Sequence, residues 1–179
     1  MNSCMIKERL TVIHVVLMII LIFFNSSRFS NAETYQSHIS YAMAYKKEGD
    51  LDNAIKELRK AISICNQSFE SHYELGGLLV IKGKKLEALK EFNKAAQIKP
   101  NNLKVHISLG YVLISLNNID SAIIALDKAI NLNPNSFHAY LLLGNAYQSN
   151  RDLNNACKNY RKATILKPKD PLARYSLFC

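Results

Sequence analysis

Residues 137–170 read FHAYLLLGNAYQSNRDLNNACKNYRKATILKPKD. Two stretches inside this segment, FHAYLLLGNAYQSN and DLNNACKNYRKATILKP, each place apolar residues at helical spacing, with a polar break at Arg151 between them. The segment therefore reads as a helix, a tight reversal and a second helix. Its Leu143-Gly144 pair recurs upstream as Leu109-Gly110 and Leu75-Gly76, every 34 residues. The prolines keep the same register at Pro168, Pro134 and Pro100, as do Ala156, Ala122 and Ala88, and again Ala163, Ala129 and Ala95. Extended backwards, the register puts Ala42 in the glycine slot, Ala54 and Ala61 in the alanine slots, and Asn66 where proline would stand. Four units result, 35–68, 69–102, 103–136 and 137–170, and a fixed period of this length is the mark of a repeat array.

Each landmark has a packing reason. A minimal side chain at Ala42, Gly76, Gly110 or Gly144 lets two helices approach closely, and the alanines early in each second helix do the same. Large residues such as Tyr45, Phe92, Leu126, Tyr147 and Tyr160 are expected to fill the space opposite. The prolines end each second helix, because proline moves the residue before it away from helical backbone. Gly49 and Gly83 supply the reversal in the first two units. Asn117-Asn118 and Asn150 stand in that place later, asparagine being tolerant of left-handed backbone.

With these residues in place the chain resembles a tetratricopeptide repeat (TPR) protein over residues 35–170. The fourth unit carries the pattern most fully, with Tyr140, Leu143, Gly144, Tyr147, Ala156, Tyr160, Ala163 and Pro168 in the family's slots. His38, His72 and His106 depart from it, standing where an aromatic residue is usual. The resemblance implies an all-α fold: an α-solenoid of four antiparallel helix–turn–helix units forming a right-handed superhelix. It further implies a concave groove lined by the first helix of each unit. In that frame the groove residues are Ile39, Met43, Tyr73, Ile107, Tyr111, Ile114, Leu141, Asn145 and Gln148.

The groove so defined is apolar and aromatic with a few amides, which suits a peptide segment of a partner protein. Some TPR domains grip the C-terminal carboxylate of heat-shock chaperones through cationic and amide side chains. The matching slots here hold Ile39, Met43, Glu74, Lys104 and Ser108 in one frame and Tyr73, Gly77, Ser108, His138 and Leu142 in the next. Neither frame supplies the cationic clamp, so that partner class is not expected. The alternative is self-association through Leu177 and Phe178. Residues 171–179 begin a further first helix, and this short, incomplete cap leaves an apolar edge that a repeat array normally covers with polar residues.

The first thirty-two residues are set apart from the array. Lys7 and Arg9 precede an apolar run, residues 10–24, and Ser30-Asn31-Ala32 offers a small-residue cleavage site, the three parts of a secretory signal peptide. The chain is then exported, periplasmic or secreted if cut after Ala32. Otherwise residues 10–24 remain as a membrane anchor, although fifteen residues interrupted by His14 fall short of the roughly 20 needed to span a bilayer.

Nothing in the sequence carries a catalytic signature. There is no phosphate-cradling glycine loop, HExxH pair, nucleophile elbow or paired-carboxylate motif, so neither enzyme activity nor a cofactor is expected. The three register histidines invite a metal ladder, but equivalent positions of successive units stand about 10 Å apart, too far to share an ion. Asp50, Asp52, Glu57 and Glu87 read as solvated charge. Of the cysteines beyond the leader, Cys65 and Cys157 lie nearly three units apart, both read as small buried or incidental thiols, and Cys179 is the candidate for an interchain bridge. The net charge of +9 is dispersed along the helices apart from Lys82, Lys84 and Lys85. With Lys90 these could attract an anionic polymer or a membrane surface, a weaker reading, and no nucleic-acid partner is expected.

Overall fold

Eight helices and no strand make up residues 32–170, which are those the computed structural model describes. The leader through residue 31 and the C-terminal stretch 171–179, with its Leu177-Phe178 edge, lie outside the described residues. In chain order the helices are α1 (residues 32–48), α2 (Leu51–Ile64), α3 (Phe69–Ile81) and α4 (Lys85–Ile98). They continue as α5 (Leu103–Ser115), α6 (Ile119–Leu132), α7 (Phe137–Ser149) and α8 (Leu153–Leu166). Helices adjacent in sequence pack on one another from α2 to α8, and α5 also meets α7, its counterpart in the next unit. The arrangement is an α-solenoid of four helix pairs.

Local chemistry fixes where the helices begin. Ser68, Asn102 and Ser136, equivalent residues between units, cap α3, α5 and α7 by accepting a hydrogen bond from the backbone N–H three residues on. Asp50 and Asp152 cap α2 and α8 in the same way, whereas α4 and α6 start at Lys84 and Asn118 without a side-chain cap. Each second helix of units two to four stops two residues short of its proline, at Ile98, Leu132 and Leu166. The reversals inside the units turn on left-handed backbone at Gly49, Gly83, Asn117 and Arg151, with φ of 82°, 73°, 60° and 59°. In the fourth unit the left-handed residue is thus Arg151 and not Asn150, whose φ is −83°. The 34-residue register, rather than residue preference, decides which residue takes that strained position.

The core is built from the repeat landmarks. Ala54, Ala88, Ala122 and Ala156 are buried, as are Ala61, Ala95, Ala129 and Ala163. A methyl group added to Gly76 would come within 2.7 Å of the Phe92 ring, one on Gly110 within 2.5 Å of Leu126, and one on Gly144 within 2.3 Å of Tyr160. Those distances are below van der Waals contact, so glycine is required for the second helix to lie against the first. Tyr45 and Tyr147 are only partly buried against the same core.

Candidate functional site

The groove-face residues fall on one side of each first helix, at i, i+4 and i+7: Ile107, Tyr111 and Ile114 on α5, and Leu141, Asn145 and Gln148 on α7. Their exposure separates them into two groups. Ile39, Tyr73, Ile114 and Leu141 are half-buried and pack against the core, with Ile107 and Asn145 similarly half-buried. Met43, Tyr111 and Gln148 are exposed, Tyr111 by 50% of its surface. Tyr73 is held by its neighbours: its ring stacks on Phe69 with centroids 5.6 Å apart and tilts onto Phe92 at the same separation. Its hydroxyl accepts a long hydrogen bond from Ser108 of the next unit, at 3.5 Å. Tyr73 thus acts as a rivet between units.

In the fourth unit the same face turns polar. The Tyr160 side chain, buried under Gly144, brings its hydroxyl to 2.8 Å from Asn145 Oδ1 and 2.7 Å from Gln148 Oε1. Burial pushes the Tyr160 hydroxyl above the usual tyrosine range, which keeps its proton in place. Burial also raises Tyr147, aided by the nearby negative charges of Asp127 and Asp152.

The register histidines are not ligands to one another. His72 is fully buried and His106 nearly so, and each sends Nε2 to a carbonyl six residues back, Asn66 at 3.0 Å and Pro100 at 2.7 Å. His72 Nδ1 meets Glu91 Oε2 at 2.6 Å, and His38 Nδ1 meets Glu57 Oε2 at 2.6 Å. Glu57 is therefore buried and paired rather than a solvated charge. A hydrogen bond from Lys60, and then one from His38, outweigh burial and hold its carboxyl below the usual range. The third unit has Ala125 in the glutamate position, and the fourth has Tyr140 and Asn159 in place of the pair. No cluster of three or more metal-ligating side chains exists among the described residues.

The basic residues singled out in the sequence are largely occupied. Lys82 pairs with Asp52, Lys84 with Glu87 at 3.3 Å, and Lys85 donates to the Ser115 carbonyl at 3.2 Å. Cys65 is an exposed free thiol, not a buried one, while Cys157 is half-buried and disulfide-bonded. Among the described residues no helix is long and apolar enough to cross a membrane.

What the sequence did not disclose is that Glu57 and Glu91 pair with first-helix histidines and that the Tyr160 hydroxyl meets Asn145 and Gln148. The signal was present as a glutamate nineteen residues after a register histidine in two units, and as a tyrosine in the one unit with two amides on its groove face.

Two family profiles match the chain. One, described as TPR repeat, covers residues 42–83 and 110–150. The other, described as tetratricopeptide repeat, covers 69–102 and 137–170. No curated protein sequence matches. Among solved structures, MamA protein superposes with a TM-score of 0.78 at 25% identity, over 82% of this chain and 80% of that one. YrrB, described as a TPR protein with an unusual peptide-binding site, superposes with a TM-score of 0.72 at 25% identity over 86% of this chain and 79% of its own. PilF of Pseudomonas aeruginosa, at 21% identity and a TM-score of 0.71, shares the fold over 83% of this chain and 68% of its own.

Proposed function

Because the chain belongs to the tetratricopeptide repeat family, we propose that it is a non-catalytic scaffold that binds a peptide segment of a partner protein along the face of its first helices. The observation that carries this is Tyr111: a large aromatic side chain left half exposed at the centre of the array, between the half-buried Ile107 and Ile114. An exposed aromatic among partly covered aliphatics offers apolar contact area with little rotamer freedom to lose. Met43 extends the same surface into the first unit, with an adaptable thioether. The likeness to a peptide-binding TPR protein supports the same reading.

The scaffold operates, on this proposal, outside the cytoplasm. The basic head, apolar run and small-residue site of residues 1–32 support export, and a disulfide at Cys157 suits an oxidising compartment. Mass spectrometry of the purified protein checks cleavage, since a chain beginning at residue 33 is expected and an intact Met1 rules cleavage out.

The experiment that tests binding places a photo-crosslinking amino acid at Tyr111 or Met43 and, as controls, at Leu86 or Ile124. The controls are exposed by 73% and 72% but lie on second helices. Crosslinks to one partner from Tyr111 and Met43 are expected, and the same partner captured only from the second helices overturns the assignment.

A further inference from the structure

We propose that the fourth unit holds a subsite that reads the backbone of an extended peptide, in which Tyr160 is the positioning residue and Asn145 and Gln148 make the contacts. The inference rests on the groove reading above and specifies its ligand. A phenol has a single proton to donate and can also accept. The two amide oxygens at 2.8 and 2.7 Å cannot both take that proton, and an amide's oxygen and nitrogen are placed by the network around them. One amide must therefore accept from the Tyr160 hydroxyl while the other turns its NH2 group to donate to it. Each amide has one edge tied to the Tyr160 hydroxyl and, among the described residues, no partner on the other. The free edges are opposite in kind, one N–H donor and one carbonyl acceptor.

That combination matches a peptide group, which offers one C=O and one N–H along an extended chain. It does not match a carboxylate, which needs donors only, and α7 contains no Lys or Arg to neutralise one. Asn145 and Gln148 lie one helical turn apart on the same face, so both reach one strand of peptide.

The three residues occur together. The positions equivalent to Tyr160 are Leu58, Phe92 and Leu126, none with a hydroxyl. The positions equivalent to Asn145 and Gln148 are Met43 and Lys46, Gly77 and Val80, and Tyr111 and Ile114, with no amide among them. A buried hydroxyl alone requires only one partner. Holding a second, exposed amide on it sacrifices rotamer freedom for no gain in the core, which is the arrangement of a site prepared for a ligand.

The test is a titration of the 15N-labelled protein with the blocked peptide acetyl-Ala-Phe-Ala-Leu-Ala-amide, followed by NMR. A version N-methylated on the backbone and a version with a free C-terminal carboxylate serve as comparators. The side-chain NH2 signals of Asn145 and Gln148 are expected to move with the blocked peptide. N-methylation is expected to weaken binding roughly two- to tenfold, as loss of one neutral hydrogen bond does, and the free carboxylate to bring no gain. Tyr160→Phe keeps the ring against Gly144 and is expected to weaken binding similarly. Asn145→Ala with Gln148→Ala would leave the buried Tyr160 hydroxyl unpaired, so the pair is made on Tyr160→Phe, and this triple variant, its fold checked by its amide spectrum, is expected to lose the dependence on N-methylation. Shifts at Tyr111 and Ile107 without the two amides, indifference to N-methylation, or preference for the carboxylate overturns the subsite alone. Absence of shifts anywhere on the first-helix face overturns the groove reading and the subsite with it.

Discussion

Glu91 on α4 places Oε2 2.6 Å from Nδ1 of His72 on α3, inside a helix pair where His72 is 1% exposed. The other ring nitrogen faces the Asn66 carbonyl, which can only accept, so Nε2 carries a proton. The pair closes the second unit and ties it to the turn that precedes it. Glu91→Ala leaves a buried ring nitrogen without its partner and is expected to cost about 1–3 kcal/mol. Glu91→Gln, which can donate to Nδ1, restores part of it. Urea denaturation of both variants measures the difference, and equal midpoints for wild type and Glu91→Ala refute it.

Two glycines on neighbouring positions of α3 should respond in opposite directions. At Gly76 a methyl group would meet the Phe92 ring at 2.7 Å, while at Gly77 nothing lies within 4 Å. Gly76→Ala is expected to destabilise by about 1–3 kcal/mol through overpacking. Gly77→Ala should stabilise by up to about 1 kcal/mol, because alanine is the better helix former. Thermal unfolding of the two single variants decides.

Arg151 holds left-handed backbone that glycine adopts at Gly49 and Gly83 in the equivalent turns. A side chain there costs about 1 kcal/mol. Arg151→Gly should raise the melting temperature, and Gly83→Ala should lower it. Unchanged melting for both would show that the turns relax.

Acid should weaken the array along a defined course. The hydrogen bond from Lys60 lowers Glu57, that from Lys99 lowers Glu70, and bonds from Asn53 and Asn155 lower Asp50 and Asp152. A carboxyl whose folded value is lowered contributes stability above its unfolded value, near pH 4, and loses it as pH falls through the lower folded value. The melting temperature is therefore expected to hold with respect to these groups above about pH 5 and to fall below about pH 4. Glu57→Gln should flatten that acid limb, and a limb unchanged by it refutes the assignment.

Tyr73 and Tyr111 separate stability from binding. Tyr73 touches Phe69 and Phe92, so Tyr73→Ala is expected to cost about 3 kcal/mol or more of stability. Tyr111→Ala should leave stability within roughly 0.5 kcal/mol and reduce partner capture, as surface changes usually do to stability. Calorimetry on each variant beside the crosslinking assay measures both quantities.

The fold was legible in the sequence because a repeat states its packing several times. Leu-Gly pairs, alanines and prolines at 34-residue spacing encode the same helix contact, so Gly76, Gly110 and Gly144 could be read before their neighbours Phe92, Leu126 and Tyr160 were seen against them. The face of the first helices was legible for the same reason, since i, i+4 and i+7 follow from helical periodicity alone. The burial of each residue on that face was not legible. Tyr73 packs between two rings, whereas no ring among the described residues meets Tyr111, which stays half exposed.

By itself the sequence determined the repeat, the helix pairs, the glycine contacts and the absence of a familiar catalytic motif, all of which depend on spacing within one chain segment. Only the tertiary structure decided what crosses between helices. It paired His72 with Glu91, moved the strained turn residue to Arg151, buried Glu57, and set the Tyr160 hydroxyl between Asn145 and Gln148. Those relations depend on distances of a few ångströms between side chains on different helices, and one-dimensional periodicity fixes the face a residue occupies without fixing the atom it meets.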